Sequence, residues 1–193
     1  MMLAYVFWHW TDTADIADYE KRLAGFHRAL VGALPAGFRR SSSARVKGAP
    51  WIPRLEGYED FYLVEDFAAL GILNDAAVEG SRKEPHDRAA AVAAGGAGGL
   101  YRLIAGDPAL IASTYAYWFG KPAGMTYAEL TVLLAPVTAA PGVALWQRQM
   151  VLGPAPEYCL ESPRPQDLPG RLAAAASRAS DFRLPDAPRL VRS

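Results

Sequence analysis

The sequence predicts an α+β fold made of two similar halves, each running through strands and helices in the order βαββαβ. Three observations carry that prediction. Short runs rich in aromatic and β-branched residues alternate with stretches whose apolar residues step by threes and fours. Tyr5-Val6-Phe7-Trp8 returns as Tyr115-Ala116-Tyr117-Trp118. The segment from Gly37 to Gly48 ends Arg45-Val46-Lys47-Gly48, and an equally long one from Gly142 to Gly153 ends Met150-Val151-Leu152-Gly153; an Ala-Pro pair follows each within two residues.

Leu3 to Trp10 reads as a strand that ends at the capping residues Thr11-Asp12-Thr13. Ile16, Tyr19, Leu23, Phe26, Leu30 and Leu34 then share one helical stripe, which Pro35-Ala36-Gly37 stops. Phe38 to Lys47 and Tyr58 to Glu65 read as extended segments, separated by a loop through Ala49-Pro50-Trp51-Ile52-Pro53. Asp66 is a candidate N-cap for a helix carrying Leu70, Leu73 and Ala77 that stops at Gly80. Pro85 suits a first helical position, so the next helix is expected from about His86 to Ala94, halted by Gly95-Gly96. Gly99 to Ala105 supplies the last strand of this half. In the second half Thr126 and Glu129 form a capping box ahead of the stripe Tyr127, Leu130, Leu134 and Val137. Tyr158-Cys159-Leu160-Glu161 corresponds to Tyr62-Leu63-Val64-Glu65. Leu172 to Arg178 reads as a short alanine-rich helix and Arg189 to Arg192 as a final strand. The chain divides near residues 108 to 112, giving halves 1–108 and 112–193.

Composition excludes several function classes. The 193 residues carry 20 basic and 20 acidic side chains, so the formal net charge is zero, and no long basic run offers a footprint for nucleic acid or an anionic membrane. The expected partner is a small molecule, with self-association into a homo-oligomer as a further expectation. A single cysteine, Cys159, excludes an internal disulfide framework and a cysteine-rich zinc site. The N-terminus has no basic region or cleavage site, and the longest uncharged run, Leu130 to Trp146, is broken by Pro136, Pro141 and Gly142. A cytoplasmic protein is expected.

Two ferredoxin-like βαββαβ units whose antiparallel sheets pack face to face as an α+β barrel resemble the dimeric α+β barrel superfamily, here with both halves on one chain instead of on two subunits. Tyr19 followed eight positions later by His27, in Asp18-Tyr19-Glu20-Lys21-Arg22-Leu23-Ala24-Gly25-Phe26-His27, is similar to the aromatic-to-histidine helix pattern of EthD-like and NIPSNAP-like members. The second half departs from it, since Ala135 stands eight residues past Tyr127. The resemblance implies small monooxygenases, isomerases and haem-binding enzymes of the chlorite dismutase kind as activities this fold supports. Fold alone does not choose between them.

Each sheet covers one face with helices and leaves the other to pack against its partner, so the space between sheets is the expected pocket. Alternation sends Tyr5, Phe7 and His9 to one face of the first strand and Val6, Trp8 and Trp10 to the other. The face with phenol, ring and imidazole is assigned to the interior; the inverse assignment is the alternative. Ser43, Arg45, Tyr62, Tyr117, Trp146 and Arg148 are expected to join Tyr5 and Phe7 in lining an aromatic pocket with a few polar anchors. His9 is the candidate acid or base, since histidine titrates near neutral pH, and the competing reading is a strand-end histidine bonded to a loop. His27 lies beside the apolar stripe, which suits a half-buried packing residue; the family-like spacing from Tyr19 makes it a second catalytic candidate. His86 beside Asp87 reads as a local cap or surface pair.

No metal is expected, because the three histidines are scattered without ligand spacing. Gly95-Gly96-Ala97-Gly98-Gly99 follows a helix and precedes a strand, the reverse of a phosphate loop, and reads as a helix stop and flexible joint. Ser41-Ser42-Ser43 lacks a nucleophile elbow, and Cys159 reads as a small buried residue. The expected function is small-molecule binding, extending to a cofactor-independent enzyme acting on an apolar or aromatic ligand between the sheets. The alternatives are a haem-binding protein of the chlorite dismutase-like type and a non-catalytic self-assembling module.

Overall fold

Alternation of apolar residues along Leu3–Trp10 makes β1, and the stripe from Ile16 makes α1 (Ile16–Gly32), capped by Asp15, whose carboxylate accepts from the Asp18 amide at 2.9 Å. There follow β2 (Phe38–Lys47), β3 (Glu56–Val64), α2 (Phe67–Ala77), α3 (Gly80–Ala90) and β4 (Gly95–Gly106). Then come β5 (Tyr115–Phe119), α4 (Tyr127–Thr138), β6 (Ala144–Arg148), β7 (Tyr158–Ser162), β8 (Ala175–Ala176) and β9 (Arg178–Arg183). The structure is a computed structural model that describes residues 1–108, 115–149, 155–172, 175–176 and 178–183.

Two of the expected N-caps form: Asp66 accepts from Ala69 N at 2.9 Å, and Thr126 with Glu129 completes the capping box of α4, whereas α1 is capped by Asp15 and not by Thr11-Asp12-Thr13. Three expectations are corrected. The helix expected from His86 starts at Gly80 instead, with Pro85 inside it. The glycine run is neither helix stop nor joint but the first five residues of β4, paired with β1 from Trp10↔Gly95 to Val6↔Gly99. Residues 175–176 and 178–183 are strand where a helix was expected over 172–178. The strand expected at 189–192 and most of the boundary at 108–112 lie outside the described residues.

All pairings are antiparallel, in one sheet of order β8-β5-β7-β6-β4-β1-β3-β2-β9. The sheet curls until one face packs on itself. Its two outermost strands, β8 and β9, are separated in the chain by a single residue. Among the described residues no helix is long and apolar enough to cross a membrane.

The two faces of the curled sheet have different occupants. On the inner face Val6, Trp8, Phe61, Leu63, Tyr101, Trp118 and Trp146 form one buried cluster. Indoles need acceptors when buried, since an unpartnered N–H costs about 1–3 kcal/mol. Two glutamates supply them: Trp8 Nε1 and Trp118 Nε1 both donate to Glu59 Oε2, at 3.0 and 2.8 Å, and Trp146 Nε1 donates to Glu161 Oε2 at 3.0 Å. On the outer face, α1, α2 and α3 cover the first strands, burying Leu3, Phe26, Leu30, Tyr62, Val64 and Leu73. The helix α4 covers the later strands with Leu130 and Leu134 against Phe119, Leu145 and Leu160.

The interior is therefore lined by the residues that alternation had placed outward. Trp8 and its neighbours fill it, while Tyr5, Phe7 and His9 face the helices. The indoles win the inside because rings from β1, β4 and β5 interlock: Trp8 meets Trp118 edge-on at 5.2 Å, and Trp118 meets Tyr101 at 5.2 Å.

Candidate functional site

The stripe of α1 delivers Tyr19, Leu23, Phe26, His27 and Leu30 to the outer face of the sheet. There β1 presents Tyr5, Phe7 and His9, and the register sets Tyr62, Asp60 and Tyr58 directly opposite them on β3. Directly opposed residues share a face. Ser41, Ser43 and Arg45 of β2 lie opposite the same three β3 residues. Between this surface and α1, α2 and α3 is a cavity of about 740 Å³, within the size range of small-molecule sites. Tyr5, Phe7, His9 and Tyr62 form its floor. Their rings lie nearly parallel: Tyr5 to Phe7 at 6.3 Å and 19°, Phe7 to His9 at 5.5 Å and 22°, Tyr5 to Tyr62 at 6.1 Å and 29°. Leu70, Leu73 and Ala77 of α2 face them, with Ala89, Ala90 and Ala93 in and beyond α3.

Asp60 is the polar centre, 1% exposed in the cavity wall. Its Oδ2 accepts from the Tyr62 hydroxyl at 2.8 Å and from His27 Nε2 at 3.3 Å. His9 Nε2 stands 3.2 Å from the same oxygen, within ion-pair reach but without hydrogen-bond alignment. The other oxygen, Oδ1, is buried and has no hydrogen-bond partner among the described residues. Two further contacts extend the network: His9 Nδ1 meets the Tyr19 hydroxyl at 2.5 Å, and His27 Nδ1 meets Ser41 Oγ at 2.7 Å.

A carboxylate cannot donate, so a neutral histidine facing Asp60 carries its proton on Nε2 and leaves Nδ1 to accept, from Tyr19 in one case and Ser41 in the other. Burial alone would raise Asp60, but the facing imidazoles of His9 and His27 outweigh it and hold the carboxyl well below its ordinary value. Tyr62 and Tyr19 move the other way, raised first by burial and then by the Asp60 charge, so both phenols stay protonated. A second polar group borders the first: Glu20 accepts from Arg45 and, at 3.0 Å, from the Tyr58 hydroxyl.

The ten candidate site residues fall into three places. Tyr5, Phe7, His9 and Tyr62 line the cavity, His27 adjoins it through Asp60, and Ser43 and Arg45 share its sheet face without lining it. Tyr117 is on the α4-covered side, where its hydroxyl accepts from Gln166 N at 2.9 Å. Trp146 is inside the curled sheet, and Arg148, opposite Tyr101, donates to the Ala155 carbonyl at 2.7 Å. Tyr117, Trp146 and Arg148 therefore leave the pocket: alternation on β6 turns Trp146 and Arg148 to the inner face, while Tyr117 shares the outer face but lies under α4, away from α1, α2 and α3.

The loop partner expected for His9 is replaced by Tyr19 and Asp60. His27 is buried, not half-buried, with both nitrogens engaged. His86 pairs with Asp87 at 3.1 Å as expected, and it also reaches the cavity edge against Phe26. Sequence reasoning missed Asp60 altogether. Its signal was present: an aspartate inside a run of strand-forming aromatics, where that residue type is depleted and buried only with partners.

Haem does not fit these residues. His9 and His27 are held by Asp60, His86 stands only at the cavity edge beside Asp87, and among the described residues lining the cavity there is no arginine or lysine to meet propionates, while Asp75 stands there instead. No group of three or more residues among the described ones forms a metal-binding cluster.

No protein-family model matches the sequence, and no curated protein matches it significantly. Solved structures share the fold. A protein from Fusobacterium nucleatum subsp. nucleatum, provisionally assigned as a monooxygenase, superposes with a TM-score of 0.57 at 12% identity, over 82% of this chain and 73% of that one. A second provisionally assigned monooxygenase, from Lactobacillus acidophilus, gives 0.50 at 11% identity over 83% and 75%. An anthrone oxidase-like protein gives 0.48 at 11% identity over 84% and 73%. At such identities the likeness is one of fold: a ferredoxin-like α+β barrel architecture.

Proposed function

We propose that this chain binds a neutral, ring-containing small molecule between the β1–β3 face and α1, α2 and α3, and exchanges a proton with it. The single observation that carries this reading is Asp60: three groups crowd Oδ2, while Oδ1 is buried in the cavity wall with no partner among the described residues. A buried acceptor left open costs free energy unless something arrives to fill it. A ligand O–H or N–H would do so. Tyr19 then completes the chemistry. A second acidic proton on the ligand, beside the one donated to Oδ1, passes to the Tyr19 oxygen as the Tyr19 proton passes to His9 Nδ1, and the resulting imidazolium is compensated by Asp60. The raised Tyr19 phenol suits a relay and not a resident tyrosinate.

The chain's two halves are read as tandem ferredoxin-like repeats, supported by strand order: β8-β5-β7-β6 follows the same plan as β4-β1-β3-β2. Only the first half carries the acid–base set. The names of the two fold neighbours add oxygen insertion as the reaction class to assay.

Calorimetric titration with 2-naphthol, a neutral ring carrying one donor, tests the reading. Saturable binding that weakens about tenfold in Asp60→Asn, whose amide no longer offers a charged acceptor, is the expected result. An unchanged affinity in that variant removes Asp60 from the site. Dioxygen uptake with bound 2-naphthol then tests the oxygenase class.

A further inference from the structure

We infer that Gly96 and Gly98 gauge the ligand, by letting the aromatic floor of the cavity lie flat and so admitting a planar fused ring in place of a single one. The inference rests on the reading of this cavity as the ligand site. The glycine run of β4 sits beside β1, and on the helix-covered face its residues 96 and 98 have no side chains to hold the neighbouring rings upright. The rings occupy the space where those side chains would be. A Cβ at Gly98 would stand 2.6 Å from the Tyr5 hydroxyl oxygen and 2.9 Å from its ring, and one at Gly96 would stand 2.3 Å from the Phe7 ring. Neither glycine has the positive φ that would itself demand glycine. Space is therefore what each position supplies.

Tyr5 and Phe7 lean diagonally across the bare backbone of β4, with their rings within 19° of parallel. An added methyl at either position forces the ring above it to lift, and the volume above that ring is the cavity. A planar ligand needs a flat floor and height over it. A single ring needs less of both.

The test compares phenol, 2-naphthol and 1-hydroxypyrene by calorimetry on the full chain. Gly98→Ala is expected to weaken 2-naphthol and 1-hydroxypyrene by about tenfold or more while phenol changes by less than about twofold. The double variant Gly98→Ala, Tyr5→Leu relieves the contact and is expected to restore 2-naphthol. Tyr5→Leu alone adds no atoms to β4 and tests the same gauge where Gly98→Ala does not fold: it is expected to favour 1-hydroxypyrene over phenol by about tenfold relative to the unaltered chain. Gly98→Ala binding all three like the unaltered chain, or Tyr5→Leu leaving the size preference unchanged, overturns the gauge while leaving the ligand site standing. An unaltered chain that binds none of the three overturns both.

Discussion

Trp8 and Trp118 donate their indole N–H groups to the same carboxylate oxygen, Oε2 of Glu59, at 3.0 and 2.8 Å. The strands β1 and β5 are thus tied to a single buried acceptor on β3. Glu59→Leu leaves both donors unpartnered and is expected to destabilise the fold by about 4 kcal/mol, whereas Glu59→Gln keeps an acceptor and is expected to cost less than half of that. Urea denaturation of the two variants reads the difference; equal losses would show that the shared oxygen is not what holds the indoles.

Asp60 ties stability to pH. Its folded-state carboxyl lies well below the ordinary 3.8, despite burial, because His9 and His27 face it. The contact therefore stabilises fully wherever the unfolded chain's aspartate is also ionised, above about pH 5, and is lost progressively as pH falls below that. Asp60→Asn is expected to cost about 3 kcal/mol at neutral pH and to flatten the acid limb of the stability curve. Thermal melts from pH 7 downward measure both; an acid limb as steep in the variant as in the unaltered chain would assign it to other groups.

Tyr58 is pushed up to about 12, first by burial and then by the charge and hydrogen bond of Glu20, with Arg45 pulling in the opposite direction. Removing the carboxylate leaves Arg45 unopposed. Ultraviolet titration of Glu20→Gln is expected to show one phenol moving down toward 10, and a Tyr58→Phe background should abolish that movement.

Thr126→Ala removes one arm of the α4 capping box, whose Glu129 amide donates to Thr126 Oγ1 at 3.2 Å. The expected loss is about 1 kcal/mol with no change in binding at the distant cavity. A change in 2-naphthol affinity would instead link α4 to the site.

Most elements were legible because their signals are local. The Ile16 to Leu30 stripe, the Thr126 box and the strand at 38–47 each rest on residues a few positions apart. The helix containing Pro85 was misplaced because a proline tolerated inside a helix looks, in sequence, like one that begins it. Which face of β1 turns inward was not local. It depends on Trp118, Tyr101 and Trp146 arriving from elsewhere in the chain to interlock with Trp8, and on Glu59 to satisfy their nitrogens. The site was half legible for the same reason: Tyr19, His9 and His27 could be named, but only pairing of β1 with β3 brings Asp60 among them. The glycine run was visible and misread, since its purpose is defined by rings on the neighbouring strand.

Along β1, residues 5, 7 and 9 serve the cavity and residues 6 and 8 serve the interior. Two unrelated tasks are written into one strand in alternating letters, so they are protected against substitution and exposed to frameshift of register. Replacing Phe7 disturbs only the message read by the helices. Inserting one residue after Leu3 would turn indoles toward α1 and the imidazole toward Glu59, erasing both messages in a single step.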